Sequence, residues 1–139
     1  MTIITLDLNS SSMTNNNGIY SKPILDLPFG TKIKILDVIS LVSITNASIS
    51  PFMYLHSNLI QSNSYDSLTN GKSGCLQALD LVNHIAVGGI TTYYTDSHNF
   101  QFETVLNNNI TIEKRTGINR TLLIDNVDFH IRISFEIIK

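Results

Sequence analysis

Few residues in this sequence have the type and spacing that chemistry requires. Gly71-Lys72-Ser73 has the ending of a phosphate-binding loop. Such a loop needs a second glycine five positions before its last one, so that successive backbone amides can curl around the phosphates. That position is Asp66, whose carboxylate would repel them, and a solvated turn is the better reading. Cys75 is the only cysteine, which rules out an internal disulfide and a Cys-based metal site. A reactive thiolate needs an electropositive, partly open setting. Cys75 lies between Gly74 and Leu76 at the start of an apolar run, so it reads as a small buried side chain. The four histidines, His56, His84, His98 and His130, fall at none of the close spacings from which zinc, copper or iron sites are usually built.

The carboxylates are scattered, and no glycosidase pair can be proposed from their spacing. Asp125 and Asp128 have the separation to flank a bound cation, but aspartates in such places more often form turns by accepting from local backbone amides. Tyr93-Tyr94 offers a platform on which a sugar could stack, although aromatics in a strand usually belong to a core or an interface, and there is no Trp to strengthen the carbohydrate reading. No catalytic residue, cofactor or metal is assigned from the sequence.

Composition excludes more. In 139 residues, enough for one domain and one core, only 14% are Asp, Glu, Lys or Arg, against about 25% in an average soluble protein. Asn, Ser and Thr supply the polar surface instead. Such a surface can be buried against another copy at little electrostatic cost, because few ions must be desolvated. The net charge is −2, and the nearest approach to a basic patch is Lys114-Arg115 with Arg120, too small to neutralise many phosphates. Direct nucleic-acid binding is therefore not expected. No run of about 18 apolar residues could span a membrane as a helix. Residues 1–8 lack the basic start and cleavage site of a secretory signal, so the sequons at Asn46, Asn109 and Asn119 are discounted.

The elements that must position these residues are strands. From Phe129 to Ile138 the chain alternates: Phe129, Ile131, Ile133, Phe135 and Ile137 on one face, His130, Arg132, Ser134 and Glu136 on the other. A period of two over this length is a strand with one wet face. Upstream, Ile110 to Arg115 and Arg120 to Asp125 read as two strands joined by a hairpin at Thr116-Gly117-Ile118-Asn119. Phe100 to Val105 alternates as well, and Asn107-Asn108-Asn109 marks a turn. Ile3 to Leu8 is a short strand, Ser10 to Gly18 a polar loop, and Pro28-Phe29-Gly30 a stop. Lys32 to Ile44 is long enough for one bent strand or two joined at Asp37, and Phe52 to His56 is another. Asn58 to Ser73 reads as an exposed excursion. Cys75 to Val87 fits a helical turn or a strand, with a strand around Leu76 to Leu81 preferred before Gly88-Gly89 breaks the chain.

The order of features from Phe52 onward resembles a known family. An aromatic strand ends in His56-Ser57-Asn58-Leu59-Ile60. A glycine-containing polar loop leads to Cys75-Leu76-Gln77-Ala78-Leu79. A Tyr-rich stretch follows, then Ile110-Thr111-Ile112, a Thr-Gly turn and the closing alternating strand. This resembles the single jelly-roll minor capsid and penton-type structural proteins of large DNA viruses, virophages and polinton-like elements. There a strand, Ser-Asp/Asn-Leu-Ile, a loop and a Leu pair precede two final strands. In that resemblance Ile24 to Leu27 and Lys32 to Ile44 look like the early strands.

Together these readings set the expectations. The chain should be all-β: one antiparallel β-sandwich of jelly-roll type over residues 1–139, with about eight strands and polar loops near 9–18 and 58–73. It should be a non-enzymatic virion protein, a homotrimer or homopentamer beside other capsid proteins. Its contacts between copies are expected at Tyr93, Tyr94, Phe129, Ile131, Ile133 and Phe135. The alternative is a receptor- or glycan-binding module such as a fibre tip, using the loops Ser57 to Ser73 and Tyr93 to Asn99. A third reading, an enzyme, would need one of His56, His84 or His98 to meet a carboxylate in a pocket.

Overall fold

The computed structural model of the chain describes residues 2–44, 52–59, 65–67, 71–72, 74–80, 89–96, 100, 103–116, 122 and 127–138. Their strands are β1 (Ile3–Asn9), β2 (Thr14–Asn16), β3 (Ile19–Pro23), β4 (Lys32–Ile44), β5 (Phe52–Ser57), β6 (Tyr65–Asp66), β7 (Gly71–Lys72), β8 (Cys75–Asp80), β9 (Gly89–Asp96), β10 (Thr104–Val105), β11 (Asn109–Thr116) and β12 (Val127–Ile137). In the first sheet β12 lies between β1 and β4, and the far side of β4 carries β9 along most of its length and β10 at its start. The second sheet runs β2-β3-β11-β5-β8, and β6 with β7 makes a separate small hairpin. Every pairing is antiparallel, and the two sheets form the expected sandwich.

The core is the sum of the inward faces. Phe129, Ile131, Ile133 and Phe135 of β12 are at most 3% exposed and face a second sheet that contributes Met53, Leu55, Ile110 and Ile112, all 0% exposed. Across the sandwich the Tyr20 ring meets Phe129 edge-on, with centroids 4.9 Å apart, the geometry that aromatic quadrupoles favour. β4 solves a phase problem. Ile33 and Ile35 are buried at its start, but Val38, Ser40 and Val42 are buried further on. Strict alternation cannot place both sets inside. The register against β12 steps from Ile35 opposite Phe135 to Asp37 opposite Ser134, leaving Leu36 as an extra residue. This bulge lets one bent strand keep both apolar sets in the core, and the join expected at Asp37 is that bulge.

A second bulge, at Leu76, separates the pairs His56–Cys75 and Leu55–Gln77. It turns Gln77 inward, where its Nε2 donates to Thr95 Oγ1 of the other sheet at 3.0 Å.

Several expectations need correction. Residues 10–18 are not a featureless polar loop. Ser10–Ser12 form a 3-10 turn capped by the Asn9 side chain, and β2 and β3 make a hairpin over Asn17-Gly18. Both turn residues have positive φ, 51° and 93°, as a two-residue primed turn demands. The early strand is β3. Residues 24–27 form a turn closed by the Leu27 amide on the Ile24 carbonyl. The 58–73 excursion is anchored: Leu59 is fully buried, the Asn58 side chain bonds both Asn109 and Thr111, and β6 pairs with β7. Of the alternating segment 100–105, Thr104 and Val105 form a strand, with Phe100 buried. Gly89, expected to break the chain, begins β9. Cys75–Asp80 is the strand preferred over a helix, and residues 81–88 lie outside the described set. So does most of the hairpin expected at 116–125, where the described Leu122 bridges Arg115 in antiparallel fashion.

Candidate functional site

The side chains that the sandwich leaves facing outward decide what it can touch. On the first sheet, register places Asp7 of β1, Arg132 of β12, Ile39 of β4 and Tyr94 of β9 in one row across the strands. The next row is Asn9, His130, Leu41 and Thr92. Half of this face is therefore polar and charged. The other half exposes Tyr94 (64%) and Leu41 (40%).

The charged half is a clasp. Arg132 Nε donates to Asp7 Oδ1 at 2.9 Å, and His130 Nε2 lies 3.2 Å from the same oxygen. The Arg132 hydrogen bond holds the Asp7 carboxyl below its ordinary value, partly opposed by desolvation and assisted by His130. Asp7 in turn raises Arg132. Because all three groups stand on an open sheet face, water screens them, and the arrangement joins β1 to β12 rather than forming a cleft for a substrate.

Behind the strands lies a polar pocket of the core. Lys114, only 1% exposed, follows Ile110 and Ile112 on the inward face of β11, and its Nζ sits 5.1 Å from the centroid of the Tyr20 ring. A desolvated cation over an aromatic face is stabilised by the ring quadrupole. Burial, with the Asp128 charge as a lesser cause, pushes the Tyr20 hydroxyl up. Ser10 belongs to the same end: its Oγ accepts from the buried Phe129 amide at 3.1 Å and lies 3.4 Å from Asp128 Oδ1.

The residues singled out from sequence divide sharply. Tyr94 stands on the outer face, whereas Tyr93 packs against the core. Both lie within β9, so residues 93–96 of the expected binding loop are strand, and residues 97–99 lie outside the described residues. Phe129, Ile131, Ile133 and Phe135 fill the core of the single chain. Their side chains are enclosed between the two sheets, so the contact between copies expected at these four residues is corrected to a place in the chain's own core. Cys75 is half-buried rather than fully enclosed. Gly71 and Lys72 pair as β7 with Asp66 and Tyr65. Asp128 is a strand residue bonded to Ser10, not a turn former, while Asp125, His84 and His98 lie outside the described residues. His56 is opposite Glu113, whose carboxylate is held by Arg115 at 2.6 and 2.8 Å. Among the described residues no group of three or more His, Cys, Asp or Glu could hold a metal ion, and no helix is long and apolar enough to cross a membrane.

Sequence reading missed the clasp and the buried lysine. Asp7 and Arg132 each read as an outward polar residue of an alternating strand, but their pairing is set by a contact spanning almost the whole chain. Lys114 was legible: it continues the phase of Ile110 and Ile112.

No protein-family model matches the chain, and no curated protein matches it.

Proposed function

We propose that this chain is a non-enzymatic structural subunit of a virus particle, a jelly roll that acts by self-association in a minor capsid, penton or capsid-decoration position. The observation that carries the reading is strand order. Set aside the strands of two or three residues, β2, β6, β7 and β10. The eight longer strands, ranked along the chain, are then β1, β3, β4, β5, β8, β9, β11 and β12. In those ranks the first sheet runs first-eighth-third-sixth, and the second runs second-seventh-fourth-fifth. That alternation of ranks is the one a jelly roll produces when a long hairpin wraps into two Greek keys.

The low charge content and the exposed Tyr94 and Leu41 support association between copies. Each Å² of apolar surface withdrawn from water favours contact by about 25 cal/mol before the cost of association. In this reading the protein is a homotrimer or homopentamer within the virion, next to other capsid proteins. Size-exclusion chromatography with light scattering tests it: a closed oligomer at micromolar concentration is expected, and a monomer throughout would overturn the proposal.

One observation favours a second reading, a glycan- or receptor-binding module. Tyr94 stands proud of the outward face of its sheet on the same strand as the exposed Thr92, an aromatic platform bordered by Ile39 and Leu41 of β4. Binding on a glycan array that disappears in Tyr94→Ala would establish it, and an array without hits would remove it.

A further inference from the structure

The tip of the β2–β3 hairpin is an Asn-Gly pair, and such a pair can react with itself. Asn17 is exposed, and among the described residues it is the only non-glycine with positive φ, at 51°. Gly18 follows at 93° and has no side chain to screen its nitrogen. In an Asn-Gly pair the glycine nitrogen can give up its proton and attack the carboxamide carbon before it. The new N–C bond closes a succinimide ring, and the side-chain nitrogen leaves as ammonia. Water then opens the ring at either carbonyl, leaving aspartate or isoaspartate. No oxidant, metal or second protein is needed.

Here the nucleophile is withheld. The Gly18 amide donates to Asn15 Oδ1 at 3.0 Å, so the proton that must leave is held and the N–H is aimed at Asn15. Asn15 is held in turn, since its Nδ2 donates to the Tyr20 hydroxyl at 3.3 Å. These two bonds fix which way round the carboxamide stands, because a flipped group would set its NH2 against the Gly18 N–H. Tyr20 lies directly opposite Asn15 across the hairpin, and its ring is packed on Phe129. On its other side Gly18 accepts from the Lys114 amide at 3.1 Å. Both polar groups of the Gly18 backbone are therefore occupied.

We propose that Asn17 is a site of spontaneous modification through a succinimide, and that Asn15 sets its rate by holding the Gly18 amide. Asn15 is a positioning residue in this reaction, and water is the co-substrate. The hairpin is what the reaction changes. Aspartate at this position adds a negative charge to a chain whose net charge is only −2. Isoaspartate lengthens the backbone by a methylene, which a two-residue primed turn cannot absorb. The edge strand β2 would then lose its register on β3. The proposal is independent of the capsid reading.

The test ages the intact protein at mildly alkaline pH and follows residue 17 by peptide mapping with mass spectrometry. Asn15→Ala removes the acceptor and should speed conversion roughly 2- to 10-fold, the factor that the net strength of one hydrogen bond implies. Asn15→Asp keeps an oxygen for the amide and should age like wild type. Asn70-Gly71, the same pair elsewhere in the chain, is an internal clock whose rate should not change between variants. Hydrogen exchange on the wild type reads the amide directly, whatever the variants do to the hairpin. The Gly18 N–H should be protected relative to the denatured chain, and an unprotected amide overturns the proposal. So does an Asn15→Ala variant that ages at the wild-type rate. Asn15→Asp ageing as fast as Asn15→Ala overturns it too, because the protection would then not come from the acceptor.

Discussion

The two faces of β12 have opposite fates. Inward, Phe129, Ile131, Ile133 and Phe135 are shut away from water against the second sheet. Outward, His130 and Arg132 lie on open surface and are tied to Asp7. The alternation that makes the strand easy to read assigns its oily side to the fold. For that reason the same side is unavailable for assembly. A half-apolar strand in a two-sheet protein advertises its own partner sheet, and the proposed association between copies falls instead to apolar residues on the outer face of that sheet, such as Leu41 of β4 and Tyr94 of β9.

The largest effect should come from breaking the inner face. Phe135→Ala removes a ring that is 0% exposed, and truncations of this kind cost about 3–5 kcal/mol through lost transfer energy and the cavity left behind. Urea denaturation should show that loss, and a change under about 1 kcal/mol would mean the two sheets do not close over this strand. Ser10→Ala comes next. It strips the Phe129 amide of its acceptor at the sheet's inner end, and a buried unsatisfied N–H costs about 1–3 kcal/mol. An unchanged midpoint would show that water replaces the hydroxyl.

Ser40 allows the comparison to run in reverse. It shares the inner layer with Val38 and Val42, is 0% exposed, and its Oγ has no hydrogen-bond partner among the described residues. Ser40→Ala therefore removes a desolvated hydroxyl while keeping the strand, and should raise stability by about 1 kcal/mol. A melting temperature that falls would reveal a bond to the hydroxyl that the described residues do not supply.

The sandwich was legible because period-two patterns run through β1, β11 and β12 and depend only on neighbours in sequence. The bulge at Leu36 was half legible: β4 read as bent near Asp37, but which apolar set faced inward needed the register against β12. Asn17-Gly18, a strong short-range hairpin signal, was hidden by the Ser, Thr and Asn residues around it, since β2 has no apolar side to announce a strand. Surface features were the least legible. The Asp7–Arg132 clasp joins residues 125 apart, and the exposure of Phe29 depends on its turn being pinned to Leu106. Local pattern reports which residues share a face. It does not report which strand lies next to them.

The smallest effect belongs to the outer face. Arg132→Ala removes the main cause of the depressed Asp7 carboxyl. A carboxyl that is more acidic folded than unfolded adds stability above its ordinary value of 3.8, and loses it as pH falls through the lower folded value. Wild type should therefore melt slightly above Arg132→Ala at neutral pH, and the gap should close in acid. Both side chains are about half exposed, so ions should screen the pair and the gap should shrink in high salt as well. Melting curves at neutral and acid pH, each at low and high salt, separate the possibilities. A gap that rivals Phe135→Ala, or that survives high salt, would mean the outer face of β12 is shielded from water, and the division between its two sides would fail.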